Sequence, residues 1–150
     1  MKILFVCKRN EFRSPIAEAI ASKILGKGNV CSAGTNTRAS NDNEAQRLLD
    51  REHQVVYCKF MQDQGHEGFG EYRPRKVTEE MVDSADVVVD MAEPEYELGF
   101  IKNSTKTVHW EIENPRFKEM GFDEGYKKVG EIYNILEKKI KDLINAKSTT

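Results

Sequence analysis

The run Cys7-Lys-Arg-Asn-Glu-Phe-Arg13-Ser14 puts a thiol, a guanidinium and a hydroxyl on one short stretch, with five residues between the cysteine and the arginine. That length suits a tight loop. The peptide N–H groups of Lys8, Arg9, Asn10, Glu11, Phe12 and Arg13 can then surround a tetrahedral anion, with the Cys7 sulfur at its centre. An apolar run precedes the loop and a helical pattern with Pro15 follows it. A helix amino terminus leaves amides unpaired and carries partial positive charge, which binds phosphate and favours a thiolate over a thiol. The thiolate is the reactive form, so Cys7 is a candidate nucleophile toward phosphorus. Arg13 offers paired donors that match two phosphoryl oxygens, a geometry lysine lacks. Ser14 is placed to support the charged sulfur. Asn10 reads as loop scaffold, because its side chain bonds locally and asparagine tolerates left-handed backbone. The spacing alone is permissive and also describes a core thiol at a strand end beside an ordinary helix charge. Neither Gly-x4-Gly-Lys-Ser/Thr nor Gly-x-Gly-x-x-Gly occurs at this position.

Such a loop needs a strand before it and a helix after it. Ile3 to Val6 is a branched and aromatic run suited to a parallel strand covered on both faces. From Ser14, residues Ile16, Ala19, Ile20 and Ile24 recur at helical spacing, and Gly26 and Gly28 mark the end. Asn29 to Ala33 reads as a second strand. A helix capped by Asn41 or Asp42 would follow, with Ala45, Leu48 and Leu49 on its apolar stripe. Val55 to Tyr57 suggests a short strand holding Cys58, within an irregular excursion from Tyr57 to Pro74. Thr78 caps a short helix, Asp86 to Met91 forms a third strand, and Pro94 opens a turn or helical segment to Phe100. Thr105 to Trp110 is a fourth strand. Val129, Ile132, Tyr133, Leu136, Ile140 and Ile144 define a long closing helix from near Asp123, fraying from Lys147. The expected fold is α/β, a three-layer Rossmann-like domain over residues 1–150 with a central parallel four-stranded sheet.

With 39% hydrophobic and 32% charged residues, the chain has the composition of a folded protein rather than a disordered tail. Its formal charge of −2 offers no bulk attraction for nucleic acid or an anionic membrane, so any anion site must be local. The apolar start is too short for a signal peptide or a membrane span, and a cytoplasmic protein is expected. Cys7, Cys31 and Cys58 lack the paired spacing of a disulfide scaffold or zinc knuckle and read as free thiols, Cys31 as a core one. His53 and His66 form no zinc pattern with them, so no metal and no cofactor is expected.

The loop, together with Arg13-Ser-Pro-Ile-Ala-Glu18, Ser32-Ala-Gly-Thr35, Asp86 through Met91 and the late Asn114-Pro115, resembles the low-molecular-weight protein tyrosine phosphatase family over nearly the whole chain. The resemblance implies a phosphate-monoester hydrolase acting through a phosphocysteine intermediate. The cysteine role falls on Cys7, the oxygen-binding arginine on Arg13 and the thiolate-supporting serine on Ser14. Its substrate would be a phosphorylated protein or a small phosphoester.

Departures from the family pattern refine that expectation. Arg9 stands at the usual glycine and Phe12 at a second cysteine of the loop. The aspartate before proline, which protonates the leaving oxygen and later activates water, is here Asn114, and an amide cannot cycle a proton near neutral pH. Weak or substrate-restricted turnover is therefore expected, with Asn114 as a leaving-group contact. A noncatalytic phosphate-binding module is the alternative, and an interaction protein that kept only the fold is a third class. Arsenate reduction would need relay cysteines after the third strand, and none follows Met91. Glu11 is expected to turn outward from the anion. Glu113 and Asp123 are the candidate substitutes for the missing acid. His109 and Trp110 are expected to border the pocket, His109 without an identifiable acidic orienter, and Tyr57, Phe69 and Tyr72 to serve mainly in packing.

Overall fold

A computed structural model describes residues 1–38, 46–51 and 55–148. Strand β1 (Ile3–Cys7) is central, pairing in parallel with β2 (Val30–Gly34) on one side and β3 (Val87–Asp90) on the other. Strand β4 (Thr107–His109) extends the sheet beyond β3, giving the order β2-β1-β3-β4. The expected parallel four-stranded α/β sheet is thus present. Side chains alternate along β1: Ile3, Phe5 and Cys7 face a core with helices α1 (Arg13–Leu25) and α5 (Phe122–Ser148). Leu4 and Val6 face a second core with α3 (Glu79–Ser84) and α4 (Gly99–Lys102). Burial on both faces explains why β1 and β3 are written almost entirely in apolar residues.

From β1 the chain crosses to β2 on one side and later to β3 on the other. The carboxyl end of β1 is therefore a topological switch point, where a crevice opens in sheets of this kind. Cys7 is its last residue. Helix α1 starts with Pro15 in its first turn, where no amide hydrogen is needed, and ends at Gly26, whose φ of 90° suits glycine. At α3 the Thr78 hydroxyl accepts from the Met81 amide at 3.2 Å, the expected cap.

The region from Val55 departs from expectation. Val55–Asp63 is a helix, α2, rather than a strand opening an irregular excursion. Val56, Tyr57, Phe60 and Met61 are buried at helical spacing, and Val56 and Phe60 face α5, with Phe60 meeting Tyr126 and Tyr133 at 5.2 and 5.4 Å between ring centroids. Three β-branched or aromatic residues suggested a strand, but the apolar repeat continues at helical spacing and tertiary packing decides. Cys58 consequently lies on a helix, and burial pushes its thiol up to about 11. The helix expected from Asn41 or Asp42 with Ala45 lies outside the described residues, and Leu48–Asp50 is a single 3-10 turn. Beyond α2, Phe69–Glu71 forms another such turn. Lys147 and Ser148 are helical, so fraying does not begin where expected.

His66, just past α2, is buried and its Nε2 lies 2.7 Å from the Tyr133 hydroxyl of α5. Burial, with Lys23 nearby, holds its imidazole down to about 4. Between that value and about 6.5 the unfolded chain binds a proton that the folded chain does not, so folding stability falls with acidification across this window. We expect a loss on the order of 3 kcal/mol from this group between pH 7 and 4. Denaturant titrations of wild type and His66→Gln check it, the variant having the flatter pH dependence.

Candidate active site

The loop after β1 is organised around the side chain of Asn10. Its backbone is left-handed, φ 59°, alone among the described non-glycine residues, and its side chain is fully buried. The Arg75 amide donates to Asn10 Oδ1 at 2.9 Å and the Tyr72 hydroxyl does so at 2.7 Å. A backbone N–H can only donate, so the carboxamide orientation is settled, and its NH2 group points to Ser14 Oγ at 2.7 Å and Ser32 Oγ at 3.1 Å. Ser14 Oγ thus accepts from Asn10, leaving its own hydrogen for the Cys7 sulfur 3.0 Å away. The Asn10 amide approaches the same sulfur at 3.3 Å. Two donors therefore converge on Cys7 Sγ, an arrangement that stabilises negative charge there. The structure brings Cys7, Asn10 and Ser14 together as the sequence indicated.

Gly34 closes the loop from the β2 side. A Cβ there would lie 2.8 Å from the Lys8 carbonyl oxygen and 2.9 Å from Thr37 Cγ2, so only glycine permits this approach. The Thr35 and Asn36 amides donate to the carbonyls of Cys7 and Lys8 at 2.9 and 2.8 Å. Among the described residues no acceptor takes the backbone N–H groups of Lys8, Arg9, Phe12 or Arg13. Helix α1 also has no side-chain cap, so the beginning of the helix keeps donors available for an anion.

Arg13 is buried, with Nη1 donating to the Met91 carbonyl at 2.7 Å and to Glu93 Oε1 at 2.9 Å. Burial opposes ionisation of Glu93, but hydrogen bonding to its own backbone and to Arg13 outweighs this and holds its carboxyl below the usual range. A Glu93 partner was not foreseen, because eighty residues separate the two. Nη2 also approaches Glu93 Oε2 at 3.5 Å, and among the described residues no acceptor takes Nε, which stays available to a ligand.

Cys7, only 2% exposed, forms part of the floor of a cleft of about 630 Å³ lined also by Lys8, Arg9, Arg13, Tyr57 and Asn114. Arg38, Arg116 and Lys118 add charge to its rim. The Lys8 ammonium sits over the Tyr96 ring at 3.9 Å, and Arg9 donates to the Asn36 carbonyl at 2.8 Å without left-handed backbone of its own. Phe12 packs edge-on against Tyr57 and Phe117 at 5.1 and 5.0 Å, which explains an aromatic ring at this loop position. Glu11 does not turn outward: it is 6% exposed, and its carboxylate meets Arg38 at 3.2 Å and Arg51 at 3.5 Å. Two guanidiniums from distant segments compensate a charge that sequence proximity left unexplained.

Other expected neighbours fall elsewhere. His109 and Trp110 do not line this cleft. His109 Nδ1 instead faces Glu97 at 3.1 Å, supplying the acidic partner that the sequence did not identify, and Trp110 packs against Phe5. Glu113 is exposed and engaged by Lys128 at 3.3 Å, while Asp123 lies in the first turn of α5. Tyr57 combines roles, packing in the core, lining the cleft and donating to the Glu11 carbonyl at 2.6 Å. Phe69 packs against it, and Tyr72 belongs to the Asn10 network. Cys31 is only partly buried, its thiol raised by that burial, rather than a fully enclosed core residue.

Comparison with known proteins decides the lineage of this arrangement. Residues 2–149 match the family described as low molecular weight phosphotyrosine protein phosphatase. The chain belongs to that family. The phosphatase chemistry expected from the sequence, centred on a cysteine, is that of low molecular weight phosphotyrosine protein phosphatases. Solved structures agree in fold. The tyrosine phosphatase Wzb from Escherichia coli K30, in complex with sulphate, is 24% identical with a TM-score of 0.63, over 97% of this chain and 96% of that one. YwlE arginine phosphatase of Bacillus subtilis, in a mutant with a phosphorylated active-site serine, is 23% identical with a TM-score of 0.65, over 95% of each chain. A thioredoxin-dependent arsenate reductase from Corynebacterium glutamicum is 21% identical with a TM-score of 0.57, over 93% of this chain and 61% of that one. A search of curated protein sequences finds no match.

The Asn10 relay yields a direct test. Asn10→Asp keeps the side-chain shape but replaces the donors facing Ser14 and Ser32 with an acceptor. We expect folding stability to fall by about 1–3 kcal/mol and alkylation of Cys7 by iodoacetamide at neutral pH to slow. Unchanged stability and unchanged alkylation would remove Asn10 from its central place.

Proposed function

We propose that the chain hydrolyses phosphate monoesters by transferring the phosphoryl group to Cys7. The observation that carries this reading is the Cys7 sulfur, 3.0 Å from Ser14 Oγ and 3.3 Å from the Asn10 amide, in a cleft where the amides of Lys8, Arg9, Phe12 and Arg13 meet no acceptor among the described residues. The thiolate attacks phosphorus, an S–P bond forms and the ester P–O bond breaks. Water then attacks the phosphocysteine, the S–P bond breaks, and phosphate leaves with the thiolate restored. Loop amides and the free edge of Arg13 hold the equatorial oxygens, whose charge is greatest in the transition state. Ser14, held as a donor by Asn10, supports the sulfur before attack and as it departs. The phosphorylated serine of the YwlE mutant fits transfer to a side chain at such a site.

Asn114 sits on the cleft rim and is assigned as a leaving-group contact. It can donate a hydrogen bond to the leaving oxygen but not a proton, so substrates with stable leaving anions are favoured. Glu113, paired with Lys128, does not replace the missing acid. The rim cations favour an anionic substrate, a phosphorylated protein or small phosphoester, over a neutral one. No metal or organic cofactor enters these steps, and nucleic acid and membranes are not proposed as partners. Among the described residues no helix is long and apolar enough to cross a membrane. The free thiols suit a reducing compartment, and the cytoplasm is the proposed place of action.

The Asn114 position also supports a second reading, a phosphate-binding module that has lost turnover. An activated aryl phosphate separates the two. Wild type should release phosphate, and Cys7→Ser should abolish release; absence of turnover with retained phosphate binding would favour the module. Asn114→Asp should raise turnover by about 10²-fold or more if the loop is competent and this is the acid position. No gain would show the position to be wrongly assigned. Aryl phosphates should exceed alkyl phosphates in wild type, and equal rates would contradict the leaving-group argument.

A further inference from the structure

Next in sequence to Met91, whose carbonyl anchors Arg13, Asp90 at the end of β3 meets Glu97 from the following segment and His109 from the end of β4. His109 Nδ1 lies 3.1 Å from Glu97 Oε1 and 3.8 Å from Asp90 Oδ2, and the three donor atoms all fall within 4.8 Å of one another. Asp90 is 1% exposed, and its buried Oδ2 has no hydrogen-bond partner among the described residues. Its other oxygen is already committed, Oδ1 accepting from the Ala92 amide at 3.0 Å. A buried carboxylate oxygen aimed at an imidazole and a second carboxylate, yet beyond hydrogen-bond reach of the imidazole, is costly as it stands.

We infer that Asp90, Glu97 and His109 form a binding site for a divalent first-row transition-metal ion, separate from the Cys7 cleft. Two carboxylates and one imidazole balance the charge of such an ion. The single nitrogen donor favours Zn²⁺, Co²⁺ or Mn²⁺ over Ca²⁺ and Mg²⁺, which prefer all-oxygen surroundings. Donors about 2.1 Å from one ion lie roughly 3.0–3.5 Å apart at octahedral or tetrahedral angles, so the His109–Glu97 separation already fits and the His109–Asp90 separation has to shorten. Glu97 is largely buried while His109 is 51% exposed, which gives the ion an approach from solvent and leaves coordination positions for water.

The location gives occupancy a structural consequence. Asp90 Oδ1 holds the turn at Ala92, and the same short segment presents the Met91 carbonyl and Glu93 to Arg13. An ion joining Asp90, Glu97 and His109 ties β3, β4 and the intervening chain at the point from which the arginine is anchored. The sequence intervals carry no motif, because the three residues meet only through the parallel pairing of Asp90 with His109 and the return of the segment carrying Glu97.

Cobalt(II) is the probe, since its visible absorption reports ligand type. Titration of the full chain should give an absorption without thiolate-to-metal charge transfer, retained in Cys7→Ser and lost in His109→Gln. Calorimetry with Zn²⁺ should give at least about 100-fold weaker binding in His109→Gln and Glu97→Gln, since loss even of an outer-shell partner costs about 10–100-fold. Thermal unfolding should show a Zn²⁺-dependent rise in wild type that His109→Gln lacks. Circular dichroism and inorganic phosphate binding unchanged in the metal-free variants would establish that they fold. Binding equal in wild type and His109→Gln, a thiolate spectrum, or a Kd weaker than about 1 mM would overturn the site. None of these readouts depends on phosphatase activity.

Discussion

A single carboxamide fixes the chemistry of this molecule. Arg75 and Tyr72 determine which end of Asn10 is oxygen, and that choice makes its nitrogen donate to Ser14. Ser14 is then obliged to direct its hydrogen at Cys7. The order of donation runs from a backbone amide some sixty-five residues away to the sulfur. The steps from Asn10 to Ser14 and from Ser14 to Cys7 are buried, where a misdirected polar group costs more than in water, so the network adopts one arrangement. The left-handed backbone of Asn10 is the strain accepted in return, and asparagine bears it at low cost.

Arg13 is fixed independently and in the same spirit. Half of its guanidinium is engaged by Met91 and Glu93 before any ligand arrives, and its backbone belongs to a helix whose Ile16, Ala17, Ile20 and Ala21 are buried. The clamp is therefore part of the core rather than a swinging side chain. Little ordering entropy remains to be lost on binding, as expected of a preorganised oxyanion site. The rim differs: Arg38, Arg116 and Lys118 are exposed, so selectivity belongs to the mouth and phosphoryl chemistry to the floor.

What could be read in advance follows the range of the interactions. Strands β1 and β3, helix α1 and the Thr78 cap are local statements, each written in a continuous apolar run, a helical repeat or one capping residue. The loop with Cys7, Arg13 and Ser14 was legible for the same reason. Helix α2 was not, since Val55-Val-Tyr favours a strand until α5 offers a face for Val56 and Phe60. Glu11 looked incompatible with burial because its cations come from Arg38 and Arg51. The Glu93 anchor and the acidic partners of His109 likewise exist only after the sheet has aligned β1, β3 and β4. Long-range charge compensation leaves no spacing in the chain.

The aromatic wedge at Phe12 has a consequence for the chemistry of oxygen rather than phosphorus. Its ring is packed between Tyr57 and Phe117, and Cys7 is the one cysteine among the described residues lining the cleft. A sulfenic acid formed at that sulfur has no resolving thiol beside it in the loop. Repair falls to a small external thiol entering the cleft, and in its absence the oxidation ladder climbs toward the irreversible sulfinic acid.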